Sequence, residues 1–278
     1  MMKKLIDELK TIKLVIFDLD GVIYRGNSLL PYAISTIEEL KKNSIKVVYN
    51  SNNSTATRSM YVARLKEFGI KTVIEEFYTS ASITSEEISD LKEKAHIFVI
   101  GEVGLKEELE TNGHIVINEN DDYKKVDFVI VGLDRQFTYK KIAFGQKCLL
   151  EGHAEFYATN NDVTLPMDNG LLPGAGVMVK AIELCTNTPP RIIFGKPNPN
   201  GIQKILKDHK IAPEHAVIFG DRLDTDIVAG NRAGIKTALV LTGVSTRKDV
   251  ERIDKKSKVE EDLIPNLILE SLNEIFIS

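Results

Sequence analysis

Leu14-Val-Ile-Phe-Asp-Leu-Asp-Gly21 decides how the rest of the chain is read. Four consecutive apolar residues mark a strand buried on both faces, as in a parallel sheet. Two carboxylates, Asp18 and Asp20, stand where that strand ends. In open α/β sheets, ligands bind outside the carboxyl ends of the strands. Two acids about 4 Å apart repel by roughly 4 kcal/mol at an effective dielectric near 20. A bound cation or a shared proton is the usual compensation. A plain reversing turn at Asp20-Gly21 would also account for the segment, so the choice rests on what the other strand ends supply.

Working outward, short apolar runs alternate with amphipathic stretches along the 278 residues. That is the pattern of repeated βαβ units around a parallel sheet. Strands are expected at 13–17, 46–49, 191–194, 216–219 and 237–241, with helices at 54–68, 200–209 and 225–233. The middle of the chain repeats the pattern with strands at 95–100, 114–117, 127–131 and 155–158. Roughly 100 residues of this kind are enough for a small domain of their own. The expected architecture is a doubly wound, Rossmann-like parallel-sheet α/β core made of residues 1–81 and 189–278. A smaller α/β domain is inserted at 82–188.

Composition narrows the function classes. A hydrophobic fraction of 43%, a charged fraction of 27% and a net charge of -4 are ordinary for a globular protein. No basic block or stripe is present, so nucleic acid is not an expected partner. No apolar run approaches the roughly 20 residues that span a bilayer, so no membrane association is expected. Residues 1–10 open with lysines like a signal peptide, but Asp7 and Glu8 interrupt any apolar segment. Cys148 and Cys185 have no C-x-x-C partner and read as small buried thiols in a reducing compartment. A cytoplasmic location is expected. The stretch 247–262 carries dense mixed charge and reads as a solvated helix and loop, opened by a capping box of Thr246 and Asp249.

Three further strand ends stand beside Asp18 and Asp20. Val47-Val-Tyr-Asn-Ser51 runs into Asn52-Asn-Ser-Thr55 and a helical stretch. Ser51 and the backbone amides of Asn52 and Asn53 are expected at a helix N-terminus, a natural anion site; Ser54 or Thr55 would cap the same helix without any ligand. Phe194-Gly-Lys-Pro-Asn-Pro199 has one cation, Lys196, in a loop stiffened by two prolines. Beside a carboxylate cluster, that lysine would neutralise charge and could hold phosphoryl oxygens; alone it could equally be a surface lysine. Val217-Ile-Phe-Gly-Asp-Arg-Leu-Asp-Thr-Asp226 again sends a buried strand into a carboxylate, Asp221. Asp226 is expected in the first turn of the next helix, and Asp224 as an exposed loop acid or cap. A third strand-end carboxylate near Asp18 and Asp20 makes an oxygen-rich pocket suited to Mg²⁺.

At Asp18-Leu-Asp-Gly-Val22, Ser51, Lys196 and Gly220-Asp-Arg-Leu-Asp-Thr-Asp226, the chain resembles the haloacid dehalogenase (HAD) superfamily of aspartate-nucleophile phosphatases. Four loop motifs occur in order over nearly the whole chain. The insertion between Ser51 and Lys196 resembles the large α/β cap of the NagD-like and 4-nitrophenylphosphatase-like branch. So do Ser51-Asn-Asn-Ser54, Val131-Gly-Leu-Asp-Arg-Gln-Phe-Thr-Tyr139, and Ala158-Thr-Asn-Asn-Asp162 leading to Pro173-Gly-Ala-Gly176. Asn161 departs from the branch, which often has proline there, and the difference bears on substrate choice.

The resemblance implies a role for each matched residue. Asp18 is the nucleophile of an aspartyl-phosphate intermediate. Asp20 protonates the leaving oxygen, then activates water, and its backbone carbonyl helps hold Mg²⁺. Asp221 ligates the metal directly, with Asp18, while Asp226 acts behind it through water or Lys196. Ser51, Asn52, Asn53 and Lys196 hold the phosphoryl group. The substrate is then a small phosphorylated metabolite such as a sugar or glycerol phosphate, with 4-nitrophenyl phosphate as a generic ester. Residues 160–162 and 172–176 shape its selection, and a homodimer through the cap is the implied assembly.

Other readings use parts of the same pattern. A phospho-acceptor signalling module shares the aspartates, hydroxyl and lysine, but Asp20 and the inserted domain argue for turnover. A dehalogenase needs no acid at position 20. A phosphomutase or phosphotransferase shares the chemistry and usually carries a different cap. A dinucleotide-dependent oxidoreductase would need a G-x-G-x-x-G after a strand, and none occurs.

Overall fold

The computed structural model describes residues 3–167, 170–254, 257 and 260–277. In chain order its strands are β1 (Leu14–Phe17), β2 (Tyr24–Arg25), β3 (Ser28–Leu29), β4 (Lys46–Ser51), β5 (Phe77–Thr79), β6 (His96–Ile100), β7 (Ile115–Ile117), β8 (Phe128–Val131), β9 (Glu155–Ala158), β10 (Thr164–Met167), β11 (Gly170–Pro173), β12 (Ala216–Gly220), β13 (Lys236–Val240) and β14 (Leu267–Leu269). The α-helices are α1 (Ala33–Lys42), α2 (Arg58–Glu67), α3 (Ser80–Leu91), α4 (Val103–Thr111), α5 (Tyr139–Leu150), α6 (Ala175–Thr186), α7 (Asn200–His209), α8 (Val228–Arg232) and α9 (Arg247–Glu251). None of them is long and apolar enough to cross a membrane.

The chain divides into two compact units. The first comprises Met1–Ser51, Val62–Tyr78 and Lys196–Ser278, and the second Asn52–Tyr61 and Thr79–Gly195. The second unit thus extends past 82–188 at both ends and takes in an earlier segment. That segment is tied down locally. The Gly104 amide donates to the Thr55 carbonyl at 3.0 Å, and Arg58 Nε and its terminal nitrogen both reach the Glu108 carboxylate at 2.8 Å.

The first unit holds a six-stranded sheet in the order β14-β13-β12-β1-β4-β5. β1 pairs in parallel with β12 on one side and β4 on the other. The early strands wind outward in one direction and the late strands in the other, so the order reverses between β1 and β12. That reversal is the topological switch point at which doubly wound sheets leave a crevice. Every residue of β1 and of β12 is buried, as their unbroken apolar runs require. α7 packs by a stripe of Gly201, Ile202, Ile205 and Leu206 and leaves its charged residues outward.

The second unit has its own parallel sheet, β7-β6-β8-β9, and an antiparallel hairpin, β10-β11. Phe98, Val129, Val131, Phe156, Met178 and Ile182 form much of its core. α3 is opened by a reciprocal cap in which Thr79 Oγ1 accepts from the Ser82 amide and Ser82 Oγ accepts from the Thr79 amide.

Three sequence expectations are corrected. Residues 191–194 are not a strand of the core sheet. Ile193 makes an isolated parallel bridge to Ala158, at the edge of the second unit's sheet. Pro189 and Pro190 supply no amide donors, so the ladder cannot extend upstream. The helix expected from residue 54 begins only at Arg58, because Asn53 Oδ1 draws the Thr55 amide and hydroxyl into an Asx turn. Thr57, rather than Ser54 or Thr55, then caps the helix by accepting from the Met60 amide at 3.2 Å. The helix expected at 225–233 opens as a π-helical turn, Leu223–Ile227, before α8.

Cys148 is buried and Cys185 half-buried, both as free thiols, and burial pushes the Cys148 thiol up to about 12. In the charged stretch 247–262, the Asp249 carboxylate accepts from the Thr246 amide and hydroxyl at the start of α9. Residues 255, 256, 258 and 259 of that stretch lie outside the described residues.

Candidate active site

The switch point of the first unit gathers the charged residues. β1 delivers Asp18 one residue past its end, where the Asp18 amide donates to the Phe219 carbonyl of β12 at 2.9 Å. β12 delivers Asp221 one residue past Gly220. The π-helical turn turns Asp226 back toward the same place, and its Oδ2 accepts from the Arg222 amide at 3.2 Å. Carboxylate oxygens of Asp18, Asp221 and Asp226 all lie within 4.8 Å of one another. All three residues are buried.

Lys196 supplies the counter-charge. Its ammonium donates to Asp18 Oδ1 at 2.6 Å, Asp226 Oδ1 at 2.5 Å and the Asn50 carbonyl at 2.9 Å. An ammonium has three N–H groups, and protein oxygens take all three. Burial acts to lower the Lys196 pKa, but Asp18 and Asp226 outweigh it and hold the ammonium protonated well beyond its ordinary range. Burial lifts the Asp18 carboxyl well above its usual range; Lys196 opposes the shift, while Asp226 and Asp221 add to it. Burial, with Asp226 beside it, pushes Asp221 up to about 7 against the hydrogen bond from the Val244 amide. Three carboxylates against one ammonium leave a surplus of negative charge in a dry place.

Asp221 fits only because two glycines give way to it. A Cβ on Gly21 would lie 2.4 Å from Asp221 Oδ2, and one on Gly243 would lie 1.9 Å from it. Gly21 also has φ of +81°, which side-chain-bearing residues seldom adopt. Asp20, between Asp18 and this glycine, is exposed, and its backbone bridges to Tyr24. The repulsive group the fold builds is therefore Asp18, Asp221 and Asp226. Asp20 carries its charge at the rim, and Asp226, expected to act through water or Lys196, meets the Lys196 ammonium at 2.5 Å and also has a carboxylate oxygen within the cluster. Asp224 is exposed and paired with Arg222.

Ser51 ends β4 as a buried residue, but no helix N-terminus stands behind it, since α2 starts seven residues later. In the second unit, Asn52 Nδ2 donates to Asp162 Oδ2 at 3.2 Å, and Asn160 Nδ2 donates to the same oxygen at 2.8 Å. Asn53 is occupied by its Asx turn. Asn50 was not singled out by sequence. Its signal is an amide directly after the apolar run 47–49, where a strand buried on both faces would take another Val or Ile.

The donor set suits a small, hard divalent cation, because carboxylates in low dielectric otherwise have to take up protons. A family profile described as haloacid dehalogenase-like hydrolase matches residues 15–115, and a second, HAD-hydrolase-like, matches 193–275. The 5'-nucleotidase YutF of Bacillus subtilis is 34% identical over 240 residues, covering 86% of this chain and 91% of that protein. The acid sugar phosphatase of Staphylococcus aureus is 36% identical over 243 residues, covering 87% and 92%. The crystal structure of a 4-nitrophenylphosphatase from Thermotoga maritima superposes with a TM-score of 0.88 at 33% identity, over 97% and 98% of the two chains. That of a glycerol phosphate phosphatase from Mycobacterium tuberculosis, in complex with magnesium, gives 0.87 at 27% identity, over 98% and 78%. The chain belongs to the haloacid dehalogenase-like hydrolases, on the phosphomonoester-cleaving branch shared by 4-nitrophenylphosphatases and NagD-like proteins.

Proposed function

We propose that this protein is a Mg²⁺-dependent phosphatase that hydrolyses a small metabolite phosphomonoester through an aspartyl-phosphate on Asp18. The observation that carries this reading is the buried set of Asp18, Asp221 and Asp226 held by Lys196 at the switch point. Asp18, Asp221 and Asp226, with the Asp20 carbonyl, would hold Mg²⁺, which when bound neutralises their charge and polarises the phosphoryl group.

The chain's own residues supply the rest. An Asp18 carboxylate oxygen bonds to phosphorus as the ester P–O bond breaks, and Asp20 gives its proton to the leaving oxygen. Water then attacks the same phosphorus, Asp20 takes its proton, and the acyl-phosphate P–O bond breaks to release phosphate and restore Asp18. Asp20 is exposed, as a group that trades protons with an alcohol and then with water needs to be. Ser51 holds phosphoryl oxygens, with Asn52 and Asn53 contributing backbone amides, while Lys196, its N–H groups given to protein oxygens, acts on them as a point charge; catalysis of this kind is mainly positioning and charge neutralisation.

The second unit, through 160–162 and 172–176, selects the substrate. Nucleotide, sugar and glycerol phosphates, the ester types named for the similar proteins, form the first screening set. Family resemblance supports a homodimer through the second unit. Two free thiols and that resemblance support a cytoplasmic location. Phosphate release from 4-nitrophenyl phosphate tests the core of the reading: wild type turns over, and Asp18→Asn falls to background. Equal rates would remove Asp18 as nucleophile.

A further inference from the structure

We infer that Asn50 is a positioning residue for Lys196, an assignment that rests on the phosphatase reading above. Its main-chain carbonyl accepts from the Lys196 ammonium at 2.9 Å, and its side-chain Nδ2 donates to the Tyr78 carbonyl of the neighbouring strand β5 at 3.0 Å. The amide therefore ties the end of β4, which carries the lysine's acceptor, to the middle of β5. Tyr78 is anchored in turn, with its hydroxyl 3.2 Å from Asp208 Oδ2 and 3.3 Å from His209 Nε2 at the end of α7. α7 begins at Asn200, four residues after Lys196. The restraints form a closed circuit: Lys196, the loop into α7, Tyr78, Asn50, and back to Lys196.

The side chain's remaining atom argues against a plain packing role. Asn50 Oδ1 is buried with no hydrogen-bond partner, and Asn50 itself is 2% exposed. An orphaned buried acceptor loses its water without gaining a protein partner, a net cost to the fold. A leucine of similar shape would fill the same space without that cost, and it would lose only the bond to Tyr78. What the asparagine retains is the tether on the lysine's acceptor. Lys196 gives all three N–H groups to protein oxygens, so its direction is set by where those oxygens stand. Freeing the Asn50 carbonyl would let the ammonium drift from the oxygens it has to meet.

The test compares wild type with Asn50→Leu, holding Mg²⁺ and substrate constant and using thermal melting to confirm folding. A misplaced charge predicts kcat lower by roughly ten- to a hundredfold with KM within about twofold. The inhibition constant of orthovanadate, which mimics the five-coordinate phosphorus, rises by the same factor, while that of inorganic phosphate stays put. A purely structural role would leave these ratios together. A folded Asn50→Leu with wild-type kcat and vanadate inhibition overturns the inference, as does a change in KM alone. If Asn50→Leu does not fold, Asn50→Ser, which is too short to reach the Tyr78 carbonyl, is read by the same criteria. Absence of turnover in wild type would fall on the phosphatase reading, whereas turnover matched by the variants would fall on Asn50 alone.

Discussion

Lys196 sits where one residue decides several others. Its ammonium is the one cation that reaches both Asp18 and Asp226 among the described hydrogen bonds, and each carboxylate is buried. Replacing it with methionine keeps the length and removes the charge. The expected result is a kcat lower by roughly 10²–10³ with Mg²⁺ present, the scale seen when one charge-stabilising donor is lost. Steady-state rates on 4-nitrophenyl phosphate check it, and a loss under threefold would place the lysine outside the reaction. At this scale much was legible in sequence. Asp18 and Asp221 each follow a buried strand, so strand ends point to them, whereas Lys196 follows an apolar run that forms no strand of the core sheet and is marked only as the lone cation of its loop. Asn50 was hidden because an amide at the end of a strand looks like the start of a loop. The position of Asp226 was hidden because a π-helical turn, not an α-helical one, brings its carboxylate inward.

Elements were legible where one pattern ran unopposed, as in β1, β8 and β12. They were misread where a local side chain competed with the pattern. Asn53 postpones α2 through its Asx turn, and two prolines keep 191–194 out of a ladder. α3, α4 and the residue just before β6 meet at another local feature, His114. It is buried, its Nδ1 accepts from the Ala95 amide at 3.2 Å, and its Nε2 lies 2.9 Å from Ser89 Oγ. Since Nδ1 accepts, the proton belongs on Nε2. Burial lowers its pKa against the opposing hydrogen bond to Ser85. The unfolded chain therefore binds this proton at higher pH than the folded one. Stability contributed by neutral His114 is present above about pH 6.5 and drains away as pH falls toward the lowered value. One proton changes stability by at most about 1.4 kcal/mol per pH unit. Urea unfolding at pH 7.5 and pH 5 should show wild type losing more stability than His114→Phe; equal losses would remove His114 as the source.

For the whole molecule, the two-unit plan was visible in the way the βαβ pattern restarts after residue 90. The attachment of Asn52–Tyr61 to the second unit was not visible, because it depends on Gly104 accepting the backbone of Ala56 at close range, a Cβ there lying 2.4 Å from the Ala56 carbonyl oxygen. A metal bound by Asp18, Asp221 and Asp226 would tie the site to global stability. An ion that binds the folded carboxylates and not the unfolded chain adds about 2.7 kcal/mol at a hundredfold excess over its Kd. Mg²⁺ is thus expected to raise Tm by several degrees, and EDTA to reverse the rise and abolish turnover. Turnover that survives EDTA with an unmoved Tm would overturn the assignment of Asp221.

The pairing of β1 with β12 has a consequence for how the protein is made. Leu14 lies opposite Ala216, so one edge of the nucleophile's strand waits for a partner encoded 202 residues later. At translation rates of about 5–20 residues per second, that wait is roughly 10–40 s. During it, a wholly apolar strand stands on the ribosome with an open edge, the kind of segment that pairs with the wrong neighbour. The second unit is synthesised almost entirely within that interval and can fold as it emerges. The nascent first unit is therefore the stage at which holding chaperones would engage this chain, and the stage at which overproduction would first yield aggregates.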